Sequence, residues 1–334
     1  MKSYFGVLLV LISGCSTDLD IMEEHPTVPV IYAIINMYDS VQYVRVEKTF
    51  RINTKEDFSK LNSDSLQFNN VEVFLYGKKG DSIKWVEQFS KTSIKKDNGF
   101  FPTENCQTYK LDHALPINLS NPGRYYYGHP DIDSLILEVI IHDLNLVTRA
   151  AAPALSSAKI TAYTGKNLIY VYGDRPSLFA LPSVEKSNGK KTKDFYRQIE
   201  FYVHFKEYYE NSFSIKEISW MTYNGFKSSG YLISPERLFN RMKLLLPKND
   251  SILVRTLDSI DLRITVPCTV FNKYWFVREH WEDSDYPPFT NFDHSYGLFL
   301  TVATAKLTGL VLTRRSMDSL CDGYYYKEMK FRHW

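Results

Sequence analysis

The stretch PTVPVIYAIINMYDSVQYVRVEKTF, residues 26–50, decides the fold class. Its first part, residues 26–36, is apolar on both sides of an extended chain, which is typical of a strand covered on both faces. The next residues, Asn-Met-Tyr-Asp-Ser at 36–40, have the composition of a turn. After this turn Val44, Val46 and Phe50 alternate with polar or amphipathic residues, as in a half-buried strand. The stretch therefore predicts a β-hairpin.

The chain beyond this hairpin continues the pattern of short apolar or alternating segments. Further strands are predicted at residues 71–76, 83–89, 135–142 and 146–151. Turn signals separate them, namely Gly-Lys-Lys-Gly-Asp at 77–81, Asp-Asn-Gly at 97–99 and Asn-Pro-Gly at 121–123. Short strands at this spacing are typical of a β-sandwich. We therefore predict a β-sandwich domain over residues 26–155, ending in the small, Pro-broken stretch Ala-Ala-Ala-Pro-Ala at 150–154.

Residues 156–334 predict a second β-rich domain of the α+β kind. Extended segments are expected at 167–172, 198–208, 214–221, 252–255, 259–266, 298–303 and 307–312. One clear helix is expected over about residues 235–246, because Ser234 suits the N-cap and Pro235 the first helical position. In that helix Leu238, Met242 and Leu245 share one face. The fold class is thus mainly β, with two domains.

The first residues, MKSYFGVLLVLISGC, have the features of a secretory signal that ends at Cys15. One lysine precedes an apolar run of roughly half the 20 residues that a membrane-spanning helix needs. The run ends in Ile-Ser-Gly-Cys at 12–15, which resembles the bacterial lipobox, whose cysteine is acylated. We predict a signal peptide at 1–14, lipidation of Cys15, and a flexible acidic tether at 15–25. Acyl chains on Cys15 would hold the protein on a membrane.

Composition excludes some function classes. The formal net charge is +2, and loss of residues 1–14 removes one lysine and leaves +1. Such a chain has no basic field for nucleic acid, so no nucleic-acid partner is expected. Aromatic residues make up 15% of the chain, which favours strands. Three cysteines besides Cys15 have no C-x-x-C spacing, so a zinc knuckle is not indicated, while a bridge between Cys268 and Cys321 stays open.

Motifs with known chemistry do not occur in the sequence. It contains no G-x-S-x-G, P-loop, dinucleotide fingerprint or H-E-x-x-H. The eight histidines are scattered, and none has a histidine at i+2 or i+4. We therefore expect no cofactor, no metal site and no catalytic residue.

The best candidate for a ligand site is the acidic and aromatic stretch from Glu279 to Pro288, together with Trp275 just before it. The candidate residues there are Trp275, Trp281, Glu282, Asp285 and Tyr286. In one interpretation the aromatic rings stack on a sugar ring or a peptide. In another, the carboxylates of residues 279–285 form a glycosidase pair, of which one acid protonates the leaving group. In a third, the stretch is a charged surface loop that joins two strands.

Stretches near both ends of the chain resemble one known family. Residues 30–36 with 39–50 resemble the opening of a family of Bacteroidota outer-membrane lipoproteins of unknown function. Residues 290–299, with Leu-Thr-Gly-Leu at 307–310 and Ser-Met-Asp-Ser-Leu at 316–320, resemble it too. The resemblance implies a surface-anchored protein with an immunoglobulin-like β-sandwich before the second β-rich domain. It also implies a TonB-dependent outer-membrane transporter as partner, and it offers no catalytic residues.

Three functional hypotheses follow. The first is a non-enzymatic lipoprotein, lipid-anchored at the outer membrane and exposed on the cell surface, that binds a glycan or peptide ligand or serves a TonB-dependent transporter. It predicts an aromatic-lined groove or a flat apolar patch. The second is a structural or assembly lipoprotein of the envelope. The third is a glycan-active enzyme that uses the 279–285 carboxylates.

Overall fold

The computed structural model of the chain describes twelve segments. These are residues 27–49, 66–94, 106–120, 129–155, 161–162, 168–169, 177–180, 196–226, 231–233, 235–279, 289–324 and 326–333. Cys15, the predicted signal peptide and the predicted tether lie outside these residues. In the described part, no helix has the length and apolar character needed to cross a membrane.

The fold is mainly β, as predicted. Among the described residues, ten strands lie before residue 155: β1 (Pro29–Asn36), β2 (Gln42–Lys48), β3 (Val71–Lys79), β4 (Ser82–Gln88), β5 (Ser90–Ile94), β6 (Cys106–Leu111), β7 (Leu119–Ser120), β8 (His129–Pro130), β9 (Ser134–Ile141) and β10 (Leu146–Pro153). Eight described strands follow it: β11 (Thr161–Ala162), β12 (Leu168–Ile169), β13 (Ser177–Ala180), β14 (Tyr196–Tyr208), β15 (Phe213–Phe226), β16 (Tyr231–Ile233), β17 (Val254–Pro267) and β18 (Tyr296–Leu312).

Two of these strands are longer than the sequence indicated. The segments predicted at 252–255 and 259–266 form the single strand β17, and those at 298–303 and 307–312 form β18. The intervening residues, such as Asp258 and Lys306, are polar and exposed, so they interrupt the apolar pattern without ending the strand.

Three α-helices are described. Helix α1 (Pro235–Leu245) confirms the predicted helix, and its apolar face buries Leu238 and Met242. Helix α2 (Thr269–Glu279) was not predicted, because its aromatic residues favour strands and it lacks a clean apolar stripe. Helix α3 (Arg314–Asp322) begins after Thr313, whose hydroxyl oxygen accepts a hydrogen bond from the Ser316 N–H. Short 3₁₀ helices lie at His142–Leu144 and Lys327–Met329.

One large sheet runs through both predicted domains. Its order is β15-β14-β17-β18-β1-β2-β6-β5, and β12 also pairs with β18. The predicted hairpin of β1 and β2 is antiparallel, whereas β1 and β18 are parallel, from Val30 opposite Tyr296 to Asn36 opposite Val302. Any boundary near residue 155 therefore divides a sheet whose strands from both sides are hydrogen-bonded to each other, and the division into two domains stays a prediction.

A second sheet, β10-β9-β3-β4, completes the predicted sandwich. The inner faces of both sheets meet in one apolar core. From the large sheet it includes Ile31, Ala33, Ile35, Val44 and Val46, and from the second sheet Val73, Leu75, Leu135, Leu137 and Val139. This burial follows the alternation that the sequence shows in these strands. The sandwich thus supplies a rigid base for the outer face of the large sheet.

The outer face of β1 differs from the prediction. The apolar run of residues 26–36 indicated a strand covered on both faces, but Tyr32 is 51% exposed and Ile34 is 60% exposed. The inner residues Ile31, Ala33 and Ile35 are fully buried in the core. The apolar side chains on the outer face therefore form a surface, part of which lies beside α2.

The described cysteines form no disulfide. Cys268 and Cys321 are free and buried, and Cys106 is free and half-buried. Burial, with the neighbouring carboxylates of Asp322 and Asp318, raises the pKa of the Cys321 thiol to about 11. Cys321 is therefore protonated at neutral pH and is a packing residue of α3.

Candidate functional site

Of the predicted site residues, Trp275 is the one that the structure describes. It lies on α2, half-buried, over the outer face of the large sheet. Trp281, Glu282, Asp285 and Tyr286 lie outside the described residues, so their proposed convergence stays a prediction. Among the 279–285 carboxylates only Glu279 is described, as an exposed residue at the end of α2.

Trp275 belongs to an aromatic wall. Its ring centroid lies 5.0 Å from that of Tyr196 on β14 and 5.9 Å from that of Phe271 on α2. The Tyr196 and Phe271 ring centroids are 4.6 Å apart. The guanidinium of Arg278 lies over the Trp275 ring, with its Cζ 5.4 Å from the centroid. Residues 271, 275 and 278 share one helical face, so α2 supplies three of the four side chains of this wall and β14 supplies Tyr196.

The wall borders a cavity of ≈ 380 Å³ that we call the α2 groove. Its floor is built by residues of β14, β17, β18 and β1 on the outer face of the large sheet. The polar lining residues are Asn36, Asp39, Gln198, Glu200, Arg263, Thr265 and Thr304, and apolar ones include Ile34, Pro267, Leu300 and Val302. The period of two in each strand explains this floor, because the alternate residues of β14 and β17 point into the core.

Hydrogen bonds hold the floor in place. Gln198 Nε2 donates to Glu200 Oε1 at 2.8 Å, and the Tyr202 hydroxyl donates to Glu200 Oε2 at 3.1 Å. Arg263 Nη1 donates to the Tyr202 hydroxyl at 3.3 Å, and its Nε lies 3.9 Å from Glu200 Oε2. Burial disfavours the charge of Arg263, but the Tyr202 hydrogen bond and the charge of Glu200 outweigh it and raise the pKa of Arg263. Arg263 is therefore a fixed cation in the floor.

The other end of the floor is fixed by Asn36 at the end of β1. Its side-chain amide donates to Asp39 Oδ2 at 2.6 Å and to Thr304 Oγ1 at 3.0 Å. Gln42 bonds the Asn36 backbone in both directions, at 3.0 Å and 2.7 Å. These bonds keep Asp39 and Thr304 at the cavity, where they are lining residues.

A second aromatic cavity, of ≈ 250 Å³, also borders α2. Its lining includes Tyr32, Tyr274, Phe289 and Tyr296. It shares Arg278 with the α2 groove. Three of the four aromatic residues of α2, all except Phe276, therefore line one of these two cavities.

The arrangement is suited to binding. It combines half-buried rings with a few polar groups held by hydrogen bonds, as small-molecule sites do. Within the described segments, no cluster of three or more histidine, cysteine or carboxylate side chains is arranged to hold a metal ion.

Sequence reasoning missed most of the lining residues. Tyr196, Arg263 and Asn36 come from strands far apart in the chain, and no local motif connects them. One signal was present in β14, where Gln198, Glu200, Tyr202 and His204 make every second residue polar or amphipathic. That pattern marks a solvent-facing strand surface, but it does not say what covers that surface.

Comparisons with known proteins match this chain to solved structures at low sequence identity. No protein-family model and no curated protein matches it. A crystal structure of a DUF4785 family protein from Legionella pneumophila aligns over 71% of this chain at 10% identity, with a TM-score of 0.20. The chain matches 52% of that protein's length. The two-immunoglobulin-domain structure of DIP-gamma aligns over 86% of this chain and 98% of its own, at 6% identity and a TM-score of 0.17.

Proposed function

We propose that this protein is a non-enzymatic, lipid-anchored lipoprotein of the outer membrane that binds a glycan in the α2 groove. The observation that carries the proposal is the half-buried Trp275 ring beside a floor of hydrogen-bonded polar groups. A sugar ring has an apolar C–H face, which can stack on an aromatic ring, and hydroxyls at its rim. The aromatic wall beside α2 suits the apolar C–H face of the sugar, and the polar floor of the sheet suits its hydroxyls.

The position of the groove favours a glycan over an extended peptide. Peptides are commonly bound as an added strand at a sheet edge, where backbone groups are free. The groove instead lies over the face of β14, β17, β18 and β1, and each of these strands is paired on both sides. A ligand on this face meets side chains rather than free backbone groups.

Anchoring and partnership follow from the N-terminal sequence and from the resemblance to Bacteroidota lipoproteins. The lipobox at 12–15 supports lipidation of Cys15, and the resemblance supports a cell-surface location and a TonB-dependent transporter as partner. The exposed apolar residues Tyr32, Ile34 and Tyr43 on β1 and β2 fit this hypothesis, because soluble surfaces rarely group such residues.

Replacing Trp275 with alanine should lower glycan affinity by roughly tenfold or more, as expected for truncation of a central aromatic residue. Trp275→Phe should retain part of the affinity, because it keeps a ring. The measurement is a glycan array to identify a binding sugar, followed by titration calorimetry with that sugar.

Phe276→Ala is the matched control. Phe276 is the next residue on α2 and is 52% exposed, but it does not line the groove. Equal losses in both variants would contradict the groove as the site. Capture of peptides but of no glycan on parallel arrays would contradict the ligand class.

Anchoring can be tested with Cys15→Ala. The wild-type protein, purified in detergent from its own envelope, should co-purify with a TonB-dependent transporter in comparable amount. The Cys15→Ala variant should be found in the soluble fraction and not in the membrane fraction. The physical reason is that acyl chains supply the membrane affinity, at roughly 0.8 kcal/mol per buried methylene. Wild-type protein that purifies without a transporter would contradict the partnership, and a membrane-bound variant would contradict lipidation at Cys15.

A further inference from the structure

A third cavity, of ≈ 240 Å³, lies on the same outer face of the large sheet as the α2 groove. We call it the His204 cavity. Its lining residues are Tyr202, His204, Glu217, Asp261, Leu262, Arg263, Lys306 and Thr308. Arg263 lines this cavity and the α2 groove alike. The two cavities therefore adjoin at the Arg263 side chain.

The strand register places the two cavities in line. Across the sheet, Gln198 lies opposite Thr265, which lies opposite Thr304. Two residues further along, Glu200 lies opposite Arg263, which lies opposite Lys306. Steps of two residues keep the side chains on one face. From Gln198 to His204, six residues along β14 span about 20 Å at roughly 3.3 Å per residue.

The His204 cavity differs in chemistry from the α2 groove. His204 Nε2 lies 3.2 Å from Asp261 Oδ2, and His204 Nδ1 lies 3.3 Å from Glu217 Oε2. Asp261 also accepts a hydrogen bond of 3.0 Å from the Gly309 N–H. These contacts hold a set of donors and acceptors on the cavity wall. The cavity therefore suits the hydroxyl groups of a ligand more than the stacking of a ring.

The Lys306 ammonium is a hydrogen-bond donor that can reach a ligand in the His204 cavity. Its side chain is exposed on β18, and within the described residues it has no ion-pair or hydrogen-bond partner. An ammonium group offers three donors, which suits the oxygen-rich surface of a sugar.

The geometry points to one elongated site for a linear oligosaccharide. One sugar unit stacks on Trp275 in the α2 groove and the chain passes over Arg263. Later units hydrogen-bond to Lys306 and to the carboxylate oxygens of Asp261 and Glu217 in the His204 cavity. This inference rests on the proposed glycan-binding function and adds the length and the direction of the ligand. It excludes a single sugar unit as the complete ligand.

The test is the dependence of affinity on chain length. The probes are cello-, malto-, manno- and xylo-oligosaccharides of two and six units, titrated into the protein by calorimetry. For a series that binds, the six-unit chain should bind roughly tenfold more tightly than the two-unit chain, the change that 1.4 kcal/mol produces. Lys306→Ala should bring this ratio close to one, whereas Lys91→Ala, at an exposed lysine on β5 of the same sheet, should leave it at the wild-type value.

The outcomes separate this inference from the function on which it rests. The elongated site is overturned if the wild-type protein binds six-unit and two-unit chains about equally, or if Lys306→Ala leaves the tenfold difference between them unchanged. Either result is compatible with Trp275-dependent glycan binding. Failure of every series to bind, together with a glycan array that shows no binding sugar, overturns glycan binding and this inference together. Should Lys306→Ala fold poorly by circular dichroism, Thr308→Ala, at another exposed residue of the same cavity, replaces it.

Discussion

Replacing Gly297 with alanine should destabilise the protein by roughly 3–5 kcal/mol, a large effect for one methyl group. Gly297 has φ +126°, which side chains other than glycine's rarely adopt. A Cβ at this position would overlap the carbonyl oxygen of Ile31 and would lie 2.7 Å from the Ile31 nitrogen. Since these atoms are backbone, relief requires that β1 move away from β18. That pairing joins the two halves of the large sheet.

The measurement is the free energy of unfolding from urea denaturation. Gly309→Ala is the control, because Gly309 lies on the same strand with φ +70° but has no neighbouring atom within 4 Å of the point that a Cβ would occupy. Gly309→Ala should lower the free energy of unfolding only by the cost of the left-handed backbone conformation, about 1–2 kcal/mol. Similar losses in the two variants would show that close approach to β1 is not the cause.

Replacing Arg255 with methionine should also cost roughly 3–5 kcal/mol, because it leaves a buried carboxylate without its cation. The side chains of Arg255 and Glu207 are only 4% and 2% exposed, and Arg255 Nη2 lies 2.8 Å from Glu207 Oε1. Arg255 also donates to the carbonyl oxygens of Met329 at 3.0 Å and Pro247 at 2.7 Å. The guanidinium thus connects β14, the end of α1 and the C-terminal segment.

A double variant distinguishes the ion pair from packing. If the unpaired carboxylate causes the loss, Glu207→Met combined with Arg255→Met should recover much of it, because an apolar pair needs no compensating charge. Arg314→Met, at an exposed arginine that begins α3, should change stability by no more than about 0.5 kcal/mol. A double variant as unstable as Arg255→Met would instead indicate that the lost bonds to Met329 and Pro247 dominate.

Local patterns were sufficient for the elements whose neighbours in sequence are also their neighbours in space. The β1–β2 hairpin needed only an alternating pattern and a turn at 36–40. Helix α1 needed Pro235 at its first position and an apolar face that repeats every three to four residues. In both cases, the energy that selects the structure comes from residues within a short stretch.

Helix α2 shows where local patterns fail. Phe271, Tyr274, Trp275 and Phe276 have intrinsic preferences for strands, and the sequence therefore did not indicate a helix. In the structure, Phe271 and Trp275 pack on Tyr196 of β14, and Tyr274 packs on Phe289. Contacts with residues distant in the chain outweigh the local preference, and such contacts are not visible in a single sequence.

By itself, the sequence determined the mainly β class, the hairpin and helix α1, because each depends on residue type and short-range period. It also indicated Trp275 as a candidate ligand-binding residue. Only the tertiary structure decided that β1 pairs in parallel with β18 and that Trp275 faces Tyr196 and the polar floor containing Arg263. These arrangements join residues separated by tens to hundreds of positions. The physical reason is that long-range pairing is selected by the burial of a shared core and not by any local preference.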